Sequence, residues 1–388
     1  MISFDNTAVA FSGKTDSDLR RSYWLFRMIG SPAFVNMGKA LATFAINFRL
    51  PVKGIIKATI FKQFVGGETI EECSRTVAEL GKYGVGTILD YSVEGKESET
   101  DFDHGAEEII ATVHRAQNDS NIPFCVFKVT GLARFALLEK VSAGKALSTE
   151  EEAEWQRVYK RVEKICTTAR DAHKPIFIDA EESWIQQAID NLADAMMELC
   201  NKQEAIVYNT FQLYRKDRLE FLKTSHRKAG EKGYFMGAKL VRGAYMEKER
   251  DRATQMGYPS PIQDTKENSD RDYDLAVRYC VEHIDRVALC AGTHNENSSR
   301  LLATLLDERK IPHNHKHVYF SQLLGMSDHI SFNLSHAGYN VAKYVPYGPV
   351  RDVLPYLIRR AQENTSVKGQ TGRELSLIIK EKQRRKNK

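Results

Sequence analysis

The stretch "PIFIDAE" at residues 175–181 shows the pattern that decides the fold. A short apolar run ends in acidic residues, and the helical pattern "WIQQAIDNLADAMMELCNK" follows it at residues 184–202. A buried strand followed by an amphipathic helix is the repeating unit of folds with a parallel sheet. This stretch therefore predicts one strand–helix unit of an α/β protein.

The same order recurs along the chain. Further apolar runs with helical patterns between them occupy residues 84–91, 124–131, 205–211, 235–245, 286–295, 317–322 and 340–348. Eight such units over about 300 residues fit a closed (β/α)8 TIM-type barrel better than an open doubly wound sheet. Residues 133–172 have a helical pattern that exceeds a minimal unit.

We predict three regions of the chain. Residues 1–80 have helical patterns and are expected to form a helical arm that packs on the barrel, and residues 81–370 are expected to form the catalytic barrel. Residues 371–388 form a basic C-terminal tail that ends in "KEKQRRKNK", and we expect this tail to be solvated and frayed.

Composition excludes several classes of protein. The 388 residues are 42% hydrophobic and have a net charge of +5, and no basic groove with interleaved aromatic residues indicates nucleic-acid binding. The six cysteines form no CxxC pair, so neither a zinc site nor a disulfide framework is predicted. We also predict no secretory signal and no transmembrane span, because charged residues interrupt each long apolar segment.

Polar side chains follow nearly every predicted strand, at the end where (β/α)8 enzymes carry their chemistry. A single such residue is most simply a strand cap, but their recurrence predicts a ligand site on one face of the barrel. They are Asp90, Lys128, Asp179, Glu181, Glu182, Asn209, Gln212, Lys239, Arg242, Tyr245, Thr293, His294, Asn295, Gln322 and Tyr344.

The stretch "YLIRRAQEN" at residues 356–364 puts two arginines side by side on a predicted helix. One stripe of that helix carries Tyr356, Arg359, Arg360, Glu363 and Asn364, and the opposite side is mainly apolar. The stripe is either a solvated face or a clamp that binds a carboxylate through guanidinium forks. Pro355 predicts that the helix begins or kinks there.

Six motifs together resemble the proline dehydrogenase family of flavin-dependent (β/α)8-barrel enzymes. They are "FVGGET" (64–69), "FKVTGL" (127–132), "FIDAEES" (177–183), "LVRGAY" (240–245), "GTHN" (292–295) and "YVPYGPVRDVLPYLIRRAQEN" (344–364). The resemblance spans roughly residues 60–366 and implies FAD as cofactor. It implies oxidation of L-proline to Δ1-pyrroline-5-carboxylate, with hydride transfer from substrate C5 to flavin N5.

The resemblance also implies roles for individual residues. Asp179 and Lys239 match catalytic positions, although Asp179 is expected to position other groups, with Lys128 as a candidate partner, and no dedicated base is evident. The substrate positions are Glu68, Lys128, Tyr245, Tyr344, Tyr356, Arg359 and Arg360, with Glu68 expected to pair with Arg359. The cofactor positions are Asn209, Arg242, Gly243, Ala244, Thr293, His294, Asn295 and Glu363. No metal is implied.

Three features of the sequence depart from the family pattern, and one of them is Pro355 inside the expected helix after the eighth strand. The family often has arginine and then lysine on the fifth strand, whereas this chain has Lys239 and then Arg242. Residues three apart face opposite sides of a regular strand, so both can serve only if the strand ends or bulges, which Gly243 would permit. Asn209 stands where the family commonly has glutamine.

The resemblance leaves alternatives open. The rivals are a hydroxyproline dehydrogenase, a metal-dependent lyase or aldolase built on "DAEE" (179–182), and a non-catalytic barrel that binds an anion. Tyr344 matches the tyrosine of proline-specific members and favours proline. The alternating histidines of "HNHKH" (313–317) could bind a metal, but an exposed loop is the preferred interpretation.

The expected partners are L-proline and a quinone or other electron acceptor. The acceptor and the place of work follow only from the resemblance. We expect a bacterial cytoplasmic protein, with the mitochondrial matrix as the alternative. Peripheral contact with the inner membrane would use the N-terminal helices or the basic tail.

Overall fold

The computed structural model describes residues 2–29, 54, 57–93, 97–359 and 370–387. Eight strands form a closed barrel in chain order, and each overlaps one of the apolar runs, which confirms the predicted (β/α)8 fold. The strands are β1 (Val85–Tyr91), β2 (Phe124–Lys128), β3 (Ile176–Asp179), β4 (Val207–Gln212), β5 (Met236–Val241), β6 (Val287–Gly292), β7 (Val318–Leu323) and β8 (Val341–Tyr347).

Helices precede and separate the strands. They are α1 (Thr7–Ala10), α2 (Asp16–Ile29), α3 (Lys62–Phe64), α4 (Ile70–Gly81), α5 (Glu99–Gln117), α6 (Phe135–Ser142), α7 (Thr149–Asp171), α8 (Ser183–Cys200), α9 (Arg218–Lys232), α10 (Met246–Met256), α11 (Lys266–Glu282), α12 (Glu296–Glu308), α13 (Asp328–His336), α14 (354–359) and α15 (Gln370–Lys386). A π-helical turn covers Lys57–Phe61, and a 3₁₀ turn covers Val129–Gly131. Helices α6 and α7 are the predicted helical excursion after β2.

Local sequence explains where these helices begin. Ser148 and Glu151 form a capping box at the start of α7, so two backbone N–H groups of the first turn are satisfied. Helix α8 buries one face, which carries Ile185, Ile189 and Met196 at helical spacing. The apolar residues whose spacing predicted this helix are therefore the residues that it buries.

The chain divides into two compact units, which we describe separately. The central unit comprises residues 95–321, and the terminal unit comprises residues 2–94 and 322–388. This division differs from the predicted arm, barrel and tail, whose boundaries at 80 and 370 stay a prediction.

Four aromatic rings form the core at the amino ends of strands in the central unit. The ring centroids of Phe124 and Phe177 are 4.4 Å apart and stacked, and Tyr208 and Tyr319 meet Phe124 edge-on at 5.6 and 4.7 Å. The strands contribute these rings from the same face, so the barrel interior is a packed core at this level.

The C-terminal residues correct one prediction. Residues 370–386 form helix α15 of the terminal unit rather than a frayed tail. Leu377 and Ile378 are buried in an apolar cluster that also contains Phe26 and Phe64. Glu374 is buried as well and accepts a hydrogen bond from the backbone N–H of Ser327. The basic composition concealed an apolar stripe that stabilises the helix by burial.

None of the helices within the described ranges combines the length and apolarity that crossing a bilayer requires.

Candidate active site

Strand alternation decides which polar residues face the barrel interior. Successive side chains of a strand point to opposite faces, so residues two or four apart share a face. The aromatic core therefore places four polar side chains on the same inward face, nearer the carboxyl ends of β2, β3, β4 and β5. They are Lys128, Asp179, Gln212 and Lys239.

Asp179 and Lys239 form an ion pair on this inward face. The Lys239 Nζ lies 2.5 Å from Asp179 Oδ1, and the two side chains are only 6% and 13% exposed. The same Nζ lies 5.5 Å from the ring centroid of Phe177, which confirms that Lys239 points inward. Lys128 is the register partner of Asp179 on β2. The structure thus brings these three residues together, with Lys239 as the ion-pair partner of Asp179.

Arg242 is the first residue after β5, which ends at Val241. Arg242 and Lys239 could serve the same site only if the strand ended or bulged between them, and the strand does end there. Its Nε donates to Asp270 Oδ1 at 2.6 Å, and its two terminal nitrogens donate to Thr293 Oγ1 at 2.9 Å and Ser298 Oγ at 3.0 Å. The guanidinium also lies 4.4 Å from the Tyr273 ring centroid. These contacts fix its position before any ligand binds.

Asp270 supplies a fixed negative charge to this group. Burial alone would raise the pKa of the Asp270 carboxyl, but the hydrogen bond from Lys266 and the Arg242 guanidinium together hold that pKa below its usual value. The carboxylate therefore stays charged at neutral pH, and Arg242 keeps its partner.

Thr293, His294 and Asn295 connect β6 to α12. Asn295 is the N-cap of this helix, and its Oδ1 accepts hydrogen bonds from the backbone N–H groups of Asn297 and Ser298 at 2.8 and 3.2 Å. His294 is half-buried beside it. The predicted cofactor residues therefore meet a helix N-terminus, a place that favours bound anions.

Gly243 has a role that the sequence did not indicate. Its φ is +141°, and a Cβ at this position would lie 2.4 Å from the ring of Tyr214. Only glycine accommodates both this backbone conformation and the close approach of the ring. The glycine is thus required by the packing of the protein itself, at the point where the chain leaves β5 towards Ala244 and Tyr245. Tyr245 is half-buried and is the N-cap residue of α10.

The structure corrects the predicted placement of Asn209. Asn209 lies in the middle of β4 and faces outward, with no exposed surface. Its Nδ2 donates to Asp190 Oδ1 of α8 at 2.9 Å, and its Oδ1 accepts from the backbone N–H of Thr210 at 2.8 Å. Asn209 therefore belongs to the packing between strand and helix.

Gln212 is the inward polar residue of β4 that we put in its place. It is the last residue of the strand and is buried, and its Nε2 donates to the backbone carbonyl of Glu181 at 2.7 Å. It was among the polar strand-end residues predicted from the sequence, and counting in twos from the core residue Tyr208 would have shown that it faces inward, because 208, 210 and 212 share a face.

Glu181 was also among the polar strand-end residues predicted from the sequence, but its burial was not predicted. It lies in the loop between β3 and α8, is 3% exposed, and accepts hydrogen bonds from Thr130. Burial raises the pKa of this carboxyl to about 7, against the opposing effects of the Thr130 hydroxyl and of Lys128. Its position in "FIDAEES" was the available signal, but nothing in that motif indicated burial.

The terminal unit carries Glu68 and Tyr344. Glu68 Oε1 accepts from Lys57 Nζ at 2.8 Å, and Oε2 accepts from the backbone N–H of Val350 at 3.3 Å. Glu68 thus holds the segment that follows β8. Tyr344 is 7% exposed on β8, and its neighbour Lys343 pairs with Asp328 on the helix side at 2.8 Å, so alternation points Tyr344 inward.

The helix after β8 begins at residue 354, so Pro355 lies in its first turn, as predicted. Tyr356 is 5% exposed and shares an apolar cluster with Leu357, which the predicted division into a polar stripe and an apolar side did not foresee. Arg359 is half-buried. Arg360 and Glu363 lie outside the described residues, so their predicted roles stay predictions.

The histidine segment lies before β7. The His313 side chain is 41% exposed and its Nε2 lies 2.7 Å from Asp307 Oδ1, whereas His317 is buried and its Nδ1 lies 2.7 Å from the carbonyl oxygen of Ile284. The predicted exposed loop is thus wrong for His317. Across the part of the chain that the structure describes, no group of three or more His, Cys, Asp and Glu side chains could hold a metal ion.

The donor set of the central unit fits an anionic dinucleotide such as FAD. Lys239 and Arg242 supply positive charge, Thr293 supplies a hydroxyl, and the 13-residue helix α12 supplies the dipole of its N-terminus. Diphosphate oxygens prefer these three kinds of donor. Lys239, Arg242, Thr293 and the residues that start α12 would therefore hold the cofactor.

Comparisons with known proteins agree with this geometry. The proline dehydrogenase family model matches residues 73–373. The chain is 35% identical to the carbapenem antibiotics biosynthesis protein CarD of Pectobacterium carotovorum, over 83% of both chains. It is 33% identical to mitochondrial proline dehydrogenase 2 of Arabidopsis thaliana, covering 85% of this chain and 79% of that one. It is 32% identical to the hydroxyproline dehydrogenase of Xenopus laevis, covering 99% and 90%.

Solved structures add the fold. The proline utilization A protein of Bdellovibrio bacteriovorus superposes with a TM-score of 0.73 at 20% identity, over 93% of this chain and 38% of that one. This chain therefore spans less than two fifths of that solved protein, and the likeness supports the barrel alone. The family model and the relatives support more: the chain belongs to the proline dehydrogenase family.

Proposed function

We propose that this chain oxidises L-proline to Δ1-pyrroline-5-carboxylate with FAD as cofactor, as the first step of proline catabolism. The observation that carries the proposal is the inward cluster of Lys128, Asp179 and Lys239, in a chain that matches the proline dehydrogenase family model. This cluster offers a cation for a small carboxylate substrate beside cations for an anionic cofactor.

The residues of the site bind and orient the substrate. Lys128, with Arg359 and Arg360, would bind the proline carboxylate through charge-assisted hydrogen bonds. Tyr245, Tyr344 and Tyr356 would enclose the apolar ring. Holding the substrate in one pose contributes to the rate because it removes orientational freedom before reaction.

Asp179 acts through Lys239. Because the two form a pair with little solvent access, Asp179 fixes the Lys239 ammonium in one place, and that ammonium carries a positive charge beside the cofactor. When bound, FAD supplies the hydride acceptor, with substrate C5 as the hydride donor and flavin N5 as the receiving atom. The substrate must react as the neutral amine, so the rate is expected to rise with pH.

A substrate panel tests this proposal. L-proline should reduce an artificial electron acceptor in the presence of the protein, whereas D-proline, which presents its ring hydrogens with the opposite hand, should be at least tenfold slower by kcat/KM. An equal rate with both enantiomers, or no rate with either, would contradict the proposal.

Hydroxyproline is the second candidate substrate, because the Xenopus laevis relative is named a hydroxyproline dehydrogenase. A 4-hydroxyl group would meet the Tyr344 ring. We therefore expect Tyr344→Ser to lower kcat/KM for proline and to improve relative use of trans-4-hydroxy-L-proline by about tenfold, since a lost apolar wall is worth about 1–3 kcal/mol. An unchanged ratio of the two kcat/KM values would show that Tyr344 does not determine the choice between proline and hydroxyproline.

A membrane quinone is the electron acceptor that we propose. Helix α2 supports a peripheral membrane contact, since Trp24 and Met28 are 58% and 47% exposed one turn apart, and exposed Arg20 and Arg27 flank them. Trp24→Ala should weaken co-sedimentation with anionic vesicles. The cellular compartment, bacterial cytoplasm or mitochondrial matrix, stays a prediction.

A further inference from the structure

The turn that follows Lys128 is held by a buried carboxylate. Thr130, in the 3₁₀ turn after β2, donates its backbone N–H to Glu181 Oε1 at 3.0 Å and its hydroxyl to Glu181 Oε2 at 2.5 Å. Both oxygens of one carboxylate are therefore bonded to a single residue of the turn. Since Glu181 is 3% exposed, these bonds are shielded from water.

The backbone of Glu181 is itself fixed. Its N–H donates to Gln186 Oε1 of α8 at 2.8 Å, and its carbonyl accepts from Gln212 Nε2 of β4 at 2.7 Å. Gln186 is in turn bonded to Asp190 at 3.0 Å. The carboxylate is thus a rigid point to which the turn after β2 is tied.

The other side of the turn is held by the helical excursion. Arg161 of α7 is 7% exposed, and it donates to the carbonyl of Leu132 at 3.3 Å while it pairs with Asp103 at 2.7 Å. On α5, a Cβ at Gly105 would lie 2.9 Å from the carbonyl oxygen of Gly131. The turn therefore has little room to move on either side.

We propose that Glu181 is a positioning residue for Lys128. By holding Thr130, Glu181 fixes the turn that follows Lys128 and so fixes the place of the ammonium that binds the substrate carboxylate. This inference rests on the proposed function, because it takes Lys128 as a substrate ligand.

The chemistry of the pair explains why the residue is a glutamate. Thr130 presents two donors to it, and a carboxylate offers two acceptor oxygens. A glutamine would offer one oxygen to the Thr130 N–H and would have to donate its NH₂ group to the Thr130 hydroxyl, so two charge-assisted bonds would become weaker neutral ones. A substitution that barely changes volume should therefore loosen the turn.

Ionisation adds a second signature. Burial raises the pKa of Glu181 to about 7, and the charged groups that act on it are Lys128 on β2 and its neighbour Glu182, which in turn pairs with Lys248 of α10. Above neutrality the carboxylate accepts both Thr130 bonds with charge assistance, and below neutrality the protonated carboxyl keeps one acceptor oxygen and donates its O–H to the Thr130 hydroxyl, so the charge assistance is lost. The bonds that hold the Thr130 turn on Glu181 are therefore expected to weaken as the pH falls through about 7.

Glu249 provides a matched control. It is fully buried on α10 and accepts from the backbone N–H and the hydroxyl of Ser183, both at 2.6 Å. It thus repeats the Glu181–Thr130 pattern at the start of α8 rather than at the turn that follows Lys128. Glu249→Gln should carry a comparable structural change without an effect on substrate binding.

The experiment measures KM and kcat for L-proline, and inhibition by cyclopentanecarboxylate, whose ring has no ionisable amine. We expect Glu181→Gln to raise KM and the inhibition constant about tenfold, because the charge-assisted bonds to Thr130 become neutral ones, and to change kcat less than about twofold, since these bonds are not specific to the transition state. The wild-type inhibition constant should rise as the pH is lowered from about 8 to 6, and this dependence should vanish in Glu181→Gln. Glu249→Gln should keep the wild-type values.

The outcomes separate this inference from the proposed function. If the wild type oxidises proline while Glu181→Gln keeps the wild-type KM, inhibition constant and pH dependence, the positioning role is overturned and the proposed function stands. If the wild type does not oxidise proline, the proposed function fails, and the inference fails with it. If Glu181→Gln does not fold, Thr130→Val decides: it should raise KM severalfold, Thr130→Ser should restore it, and an unchanged KM in Thr130→Val would overturn the role.

Discussion

Charged side chains near the carboxyl ends of β5 and β3 have different kinds of hydrogen-bond partner. At the end of β5 each cation has a carboxylate partner: Lys239 pairs with Asp179 and Arg242 pairs with Asp270. At the end of β3 the Glu181 carboxylate is bonded to the backbone and hydroxyl of Thr130. The pKa of Asp270 is accordingly held below its usual value, whereas the pKa of Glu181 is raised to about 7.

The two carboxyls differ both in burial, since Asp270 is 27% exposed and Glu181 is 3% exposed, and in the charge of their partners. A full opposite charge at hydrogen-bond distance offsets the cost of leaving water, whereas two dipoles offset only part of it. At the β5 end the lowered pKa of Asp270 keeps that carboxylate charged beside Arg242. The β3 end holds a charge that does change, which suits a group whose contribution depends on pH.

The largest loss of stability is expected when the ion pair between Lys239 and Asp179 is broken. Lys239→Met leaves the carboxylate of Asp179, which is 13% exposed, without its Lys239 partner, and such a loss typically costs about 3–5 kcal/mol of folding free energy. The bound flavin per chain should also fall. Chemical unfolding and the flavin-to-protein absorbance ratio measure the two effects.

Two further variants sharpen this test. Lys239→Arg keeps the charge and should retain most of the stability and flavin. Adding Asp179→Asn to Lys239→Met should recover part of the lost stability, because it removes the charge that Lys239 had offset. A double variant that is no more stable than Lys239→Met alone would show that the pair does not carry the coupling assigned to it.

Glu181→Gln should change how the folding stability depends on pH. The folded pKa of Glu181, about 7, lies above its ordinary value of 4.5, so the folded chain binds more protons between these values. The contribution of Glu181 to stability is therefore present below about pH 4.5 and is lost as the pH rises through about 7, with a total of up to about 3 kcal/mol. Between pH 5 and 8 the wild type should lose stability relative to Glu181→Gln. A parallel pair of stability curves would contradict the raised pKa.

The smallest loss of stability is expected for Asn209→Ala. This variant tests whether Asn209 contributes to packing or to ligand binding. Asn209→Ala leaves Asp190 Oδ1 short of one donor and should cost about 1–2 kcal/mol of stability, with KM for proline unchanged. Gln212→Ala should affect KM instead, because Gln212 holds the Glu181 carbonyl. Thermal unfolding and steady-state kinetics on the two variants test the corrected placement, and a KM effect confined to Asn209→Ala would restore the original assignment.

The fold was largely readable from the sequence. The eight strands of the barrel all coincide with apolar runs, because a strand that is buried on both faces must be apolar along its length. The tail was misread for a related reason. Its composition is dominated by Lys and Arg, whereas its structure is decided by Leu377, Ile378 and the buried Glu374. Average charge conceals a narrow apolar stripe.

The candidate site was readable in part. Motif positions identified Asp179, Lys239 and Arg242, which the structure places in the central unit with fixed partners. They did not show that Asn209 faces outward, because direction depends on the register of the whole strand. They also did not show that Glu181 is buried, because its burial comes from α8 and from strands distant in sequence.

The measurement that tests the account most directly is the absorption spectrum of the purified protein, reconstituted with FAD, before and after L-proline is added without oxygen. The account predicts flavin bands that bleach with L-proline and stay unchanged with cyclopentanecarboxylate. Flavin bands that do not bleach with L-proline would contradict proline as the substrate, and hydroxyproline would be tried next. A protein that shows no flavin bands would contradict the assignment of Lys239, Arg242 and the α12 N-terminus as a cofactor site.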